Sequence, residues 1–104
     1  MSELSNFFDV YGDEISDMDM NSMDILVNGE DYRFGSYTFF KDGDILLYVD
    51  GRVRYIKNVE HLIEVATNKL KKEYGNDVKV ELNPWLAKHL TEESQRLHKK
   101  TFGY

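Results

Sequence analysis

Residues 16 to 24 read SDMDMNSMD, and every side chain in the run carries an oxygen except those of Met18, Met20 and Met23. Asp17, Asp19 and Asn21 match the first, third and fifth ligand positions of an EF-hand calcium loop. That loop also needs a glycine at its sixth position for the sharp turn and a bidentate glutamate at its twelfth to close the oxygen shell. Ser22 and Asn28 stand in those two places. The stretch therefore predicts no dedicated calcium site, and Asn28 is better used as half of an Asn-Gly hairpin turn.

No other constellation points to catalysis. His61, His89 and His98 lack metal-ligand spacing. On one helix His89 and His98 would lie about 180° apart around the axis. His61 with Glu64, and His89 with Glu93, read as local ion pairs on solvated helix faces. The absence of cysteine removes thiolate ligands, disulfides and a cysteine nucleophile. There is no G-x-S-x-G elbow and no glycine-rich phosphate cradle. The expectation is a protein with no catalytic residue, no metal and no cofactor.

The elements that must carry these side chains follow from periodicity. Leu4, Phe8, Tyr11, Ile15 and Met18 recur at helical steps and predict an N-terminal amphipathic helix over residues 4–18. Asn28-Gly29, Asp42-Gly43 and Asp50-Gly51 then separate four runs rich in aromatic and β-branched residues, which predicts an antiparallel meander. Its strands would be Met23–Val27, Asp31–Phe40, Asp44–Val49 and Arg52–Lys57. In the second, Tyr32 and Phe34 have opposite parity to Tyr37 and Phe39, and a bulge at Gly35 would return both pairs to the core. The third, ILLYV, is apolar on both faces and should be central, and in the fourth Arg52 and Arg54 should face outward.

Asn58 then caps a helix with Val59, Leu62, Ile63, Ala66, Leu70 and Tyr74 on one face, closed by Gly75. A short strand carrying Val78, Val80 and Leu82 leads to Asn83-Pro84 and a last helix from about Trp85, with Leu86, Leu90 and Leu97 inward. This order predicts a single α+β domain over residues 1–104 with helices packed on one face of the sheet. The chain shows no signal peptide and no run of about 18 apolar residues, so no membrane contact is expected and a cytoplasmic location is, the host cytoplasm if the protein is phage-encoded.

Charge is distributed unevenly along this order. Residues 1–50 hold 12 acidic residues against Arg33 and Lys41, a net of −10, whereas residues 51–104 hold 7 acidic and 11 basic residues, a net of +4. The first 31 residues contain nine acids and no lysine or arginine. On a helix Asp9, Asp13 and Asp17 would fall at i, i+4 and i+8, about 6 Å apart along the axis, the same order as neighbouring phosphates on a nucleic-acid strand. Solubility alone would not require all the leading charges to share one sign.

In these features, carried by Asp9, Asp13, Glu14, Asp17, Asp19 and Asp24, the chain resembles the small acidic phage-encoded DNA-mimic inhibitors that block host nucleoid or restriction proteins. The resemblance is one of class and covers about the first 50 residues. It implies a non-catalytic interaction domain whose acidic half binds a basic, DNA-binding protein. The expected partner-binding residues are Asp9, Asp13, Glu14, Asp17, Asp19, Asp24, Glu30 and Asp31. The basic last helix, through Lys88, Arg96, Lys99 and Lys100, is a candidate self-association surface that would meet the acidic end of a second copy in a homodimer. Two alternatives stand beside this: nucleic-acid or acidic-partner binding through the basic C-terminal helices with Trp85 and Tyr104, and a structural subunit, for example of a virion. A pI near 5.0 and interleaved glutamates disfavour direct nucleic-acid binding.

Overall fold

In a computed structural model the described residues are 9–16 and 20–103. Five strands form one antiparallel sheet: β1 (Asn21–Val27), β2 (Glu30–Phe39), β3 (Ile45–Val49), β4 (Arg52–Ile56) and β5 (Val80–Leu82), in the order β4-β3-β2-β1-β5. Two helices, α1 (Val59–Tyr74) and α2 (Pro84–Phe102), cover one face. The α+β class matches the sequence expectation, and two of the three expected helices share one face. The short strand, however, joins the meander as a fifth strand by pairing with β1.

The turns explain the meander. Asn28 and Gly29 have φ of 52° and 83°, and Asp50 and Gly51 have 52° and 76°, the paired left-handed residues of two-residue type I′ turns. The Asp42-Gly43 connection is longer, closed by Gly43 N–H to the Phe40 carbonyl and Phe40 N–H to the Asp44 carbonyl. Gly43 has φ +99°, and a Cβ there would lie 2.3 Å from the Ser94 carbonyl oxygen. Glycine is what lets this turn press onto α2, where the Ser94 hydroxyl donates to the Gly43 carbonyl at 2.5 Å. The Thr101 hydroxyl likewise donates to the Lys41 carbonyl.

The bulge expected in β2 is present. Met23 pairs with Gly35 and Asp24 with Arg33, so Phe34 is the extra residue. Phe34, Tyr37 and Phe39 consequently all enter the main core, with Tyr32 packed against it. That core also takes Leu62, Ala66 and Leu70 from α1 and Leu86, Leu90 and Leu97 from α2, as the helical spacing predicts. The caps are those of the sequence: Asn58 accepts from His61 N–H and Asn83 from Trp85 N–H.

The N-terminal helix is corrected. Residues 9–11 are helical, Gly12–Glu14 is a single 3-10 turn, and Ile15 is extended and bridges to Phe40. Gly12 and clustered acids are poor helix formers, and Ile15 gains more by closing a small cluster with Phe40 and Leu46 on the helix-free side of the sheet. The helical stripe thus ends before Ile15, while Leu4 and Phe8 at its start and Met18 at its end lie outside the described residues.

Two finer points of the strands also change. ILLYV is interior, flanked by β2 and β4, but β2 is the middle strand. On β4, Arg52 and Arg54 share the parity of buried Ile56 and so lie on the helix side, both exposed, with Arg54 lining an open groove beside Val65, Lys69 and Lys72 of α1. Val53 and Tyr55 take the other face, where Tyr55 meets Phe40 at 5.0 Å between ring centroids.

Candidate functional site

The parity of β1 and β2 decides where the predicted carboxylates go. Met23, Ile25 and Val27 point under the helices, so Ser22, Asp24 and Leu26 face the helix-free side, joined there by Asp31 opposite Leu26 and Arg33 opposite Asp24. Asp24 and Asp31 line one groove, of about 340 Å³, together with Asn21, Ser22, Tyr37, Asn83, Trp85 and Leu86. Asp13 and Glu14 line another, with Phe40, Lys41, Asp42, Tyr55 and Thr101. Lys41 N–H holds this second group in place by donating to the Glu14 carbonyl at 2.8 Å.

The two groups mark opposite ends of β2. Nine residues of strand separate Asp31 from Phe40, a span of about 30 Å. Among the described residues the acidic surface is therefore two poles, with Ser36, Thr38 and Tyr48 between them on the same face. Glu30 sits at the type I′ turn with helix-side parity, and Asp9 on the short helical turn. Asp17 and Asp19 lie outside the described residues. Asp9, Asp13, Glu14, Asp24, Glu30 and Asp31 are all exposed. Of these six, Asp24 pairs with Arg33 at 3.4 Å, and the other five make no ion pair with a described residue.

The basic helix is more self-satisfied than its composition suggests. Lys88 faces Glu92 at 3.9 Å, and Arg96 grips Glu93, its Nε 3.1 and 3.2 Å from the two carboxylate oxygens. The Arg96 hydrogen bond holds the Glu93 carboxyl below its ordinary value. Lys99 turns toward a groove shared with Asp42, Asp44, Lys57 and His98, and Lys100 is exposed. Burial, reinforced by the Asp42 carboxylate, pushes the Asp44 carboxyl up, against the opposing pull of Lys57 and His98.

A calcium loop from Asp17 to Asn28 does not fit this architecture, because Asn21–Val27 is a strand and Asn28 holds a turn. Among the described residues no three His, Asp or Glu side chains gather as metal ligands would. No described helix is long and apolar enough to cross a membrane.

Trp85 was not among the partner-binding residues expected from the sequence. It entered only the alternative of nucleic-acid or acidic-partner binding through the basic helices, and it stands 70% exposed, lining the groove that holds Asp24 and Asp31. Its ring stacks on His89, with centroids 5.4 Å apart and planes within 5°, and His89 in turn meets Phe39 edge-on. The signal available was its place directly after an Asn-Pro cap, one residue before buried Leu86, where a side chain points away from the core. Comparisons with protein-family models, curated proteins and solved structures give no match to this chain.

Proposed function

We propose that the protein is a non-catalytic interaction domain whose acidic N-terminal half engages a basic surface on another protein. The observation carrying this reading is the exposure of Asp9, Asp13, Glu14, Asp24, Glu30 and Asp31, five of them without an ionic partner among the described residues. An acidic surface of this kind accelerates encounter with a cationic partner and selects against anionic ones.

A finer form of the reading is mimicry of DNA toward a DNA-binding protein. The continuous helical row from Asp9 to Asp17 does not support it, because the helical spacing is lost at Ile15. The two poles do, since their separation of about 30 Å approaches the rise of one turn of B-DNA, about 34 Å.

The test is affinity capture from a cell lysate with the wild-type chain and with variants reversed at one pole or both, D13K/E14K and D24K/D31K. Basic proteins retained by the wild type and lost from the double-pole variant are expected, with each single-pole variant intermediate. Equal retention by all four chains would overturn the proposal. DNA-binding proteins among the captured partners, displaced by duplex DNA, are the outcome expected of mimicry.

A further inference from the structure

The groove at Trp85 borders a strand edge that β5 leaves open. β5 pairs with β1 only from Val27 to Ile25, and at Leu82 it gives way to the Asn83 cap of α2. Among the described residues, Asn21–Asp24 therefore have a neighbouring strand on the β2 side alone. Asn28 N–H donates to the Lys79 carbonyl, and main-chain groups of one parity point to the same edge. Ser22 and Asp24 thus aim their N–H and C=O groups away from β2, into the groove.

The two walls of this edge differ in chemistry. On the helix side stand Trp85, Leu86 and Tyr37; on the other stand the exposed carboxylates of Asp24 and Asp31. Side chains of an extended segment laid along β1 alternate between the two walls. Every second one meets an aromatic and apolar wall, and those between meet carboxylates.

We propose that Asn21–Asp24 of β1 takes an extended segment of a partner protein as an added strand, with apolar residues against Trp85 alternating with lysine or arginine against Asp24 and Asp31. This rests on the reading that the partner is a basic protein, and it assigns the element recognised: a strand rather than a folded surface. Ladder hydrogen bonds supply the register-independent part of the affinity, and the alternation supplies selectivity. A cation reaching the Trp85 face adds a cation–π contact.

The probe is a synthetic hexapeptide of alternating lysine and valine, blocked at both ends, titrated into the 15N-labelled full chain. Saturable shifts at the Asn21–Asp24 and Asp31 amides and the Trp85 indole are expected. The same peptide N-methylated at alternate residues, in the register that blocks the ladder, should bind at least tenfold more weakly. So should a glutamate-valine peptide against the wild type, and the lysine-valine peptide against W85A or D24N/D31N. E60Q, on the exposed face of α1 away from either pole, should bind within twofold of wild type. Equal affinity for both N-methylated registers and the parent peptide would overturn strand addition without touching any protein residue. Shifts at Asp13 and Glu14 in place of β1, with a folded basic protein still bound, would also overturn it and leave the broader reading standing. Failure to bind both the peptide and a folded basic protein such as lysozyme would remove the broader reading as well.

Discussion

Leu46 and Leu47 are neighbours on β3, both fully buried, and they face opposite sides of the sheet. Among the described residues, Leu47 enters a cluster of nineteen buried residues roofed by α1 and α2, whereas Leu46 clusters with Ile15 and Phe40, with Met20 and Val53 at the margin. The comparison separates two tasks. The helix side holds the fold together, and on the other side the described residues cover one end of the sheet and leave a polar, acid-bearing surface at the other. Truncation should expose this difference more than any other change. Leu47→Ala is expected to cost about 4 kcal/mol, because two helices and three strands fix its surroundings and the cavity cannot collapse. Leu46→Ala should cost about 2 kcal/mol, since among the described residues its cluster is small and its cover at Ile15 can settle inward. Urea denaturation of both variants checks this, and equal losses would show that the N-terminal segment is as rigid a cover as the helices.

The hairpins repeat the contrast on a smaller scale. Gly43 is pressed on α2, and Gly51 has nothing within 4 Å of the position a Cβ would take. Gly43→Ala combines a left-handed backbone with a collision against the Ser94 carbonyl, and about 3 kcal/mol of destabilisation is expected. Gly51→Ala meets the backbone term alone, about 1 kcal/mol. Thermal melts of the pair would sharpen the point that one hairpin is a packing surface and the other a free turn.

Trp85 stands on the helix side yet is as loosely packed as the free turn. With 70% exposure and its ring resting on His89, Trp85→Ala should cost less than about 1 kcal/mol, near the value of one aromatic pair. A much larger loss in denaturation would mean that Trp85 supports the entry of α2, and that binding changes in this variant report on folding.

Much of the helix side was legible in the sequence because local signals agreed with tertiary demands there. The Asn-Gly and Asp-Gly turns, the Asn58 and Asn83 caps and the spacing of Leu62, Ala66 and Leu70 each have one stable solution. The bulge at Phe34–Gly35 was legible for the same reason: only an extra residue returns both aromatic pairs to one face. The N-terminal stripe misled because Ile15 and Met18 fit a helical period, while Ile15 is captured by Phe40 through a contact 25 residues away in sequence. The acidic character of the candidate site was legible from composition. Its division into two poles and the proximity of Trp85 to Asp24 were not, because both depend on the β1–β5 pairing that brings α2 back beside β1.

Two carboxyls near α2 offer the smallest effects, with opposite sign. Asp44, beside the hairpin, has its carboxyl pushed above the ordinary value of 3.8, chiefly by burial. Such a group holds its proton more tightly in the folded chain. It adds stability below its unfolded value, and that contribution is lost as pH rises through the raised one. Glu93, bonded to Arg96 on the helix surface, is held below its ordinary value of 4.5. Its contribution is present above that value and is lost as pH falls through the lowered one. Asp44→Asn should therefore raise the urea midpoint at about pH 7 and converge on wild type near about pH 2.5, where the wild-type carboxyl is itself protonated. Its main-chain bonds to Asp42 and Phe40 are untouched by the change. Glu93→Gln should lower the midpoint at neutral pH and converge in the same acid range, with a loss that shrinks as salt screens an exposed pair. If both variants shifted the midpoint in the same direction at neutral pH, Asp44 would be acting as a paired surface charge like Glu93, and the hairpin would be less closely seated on α2 than Gly43 and Ser94 imply.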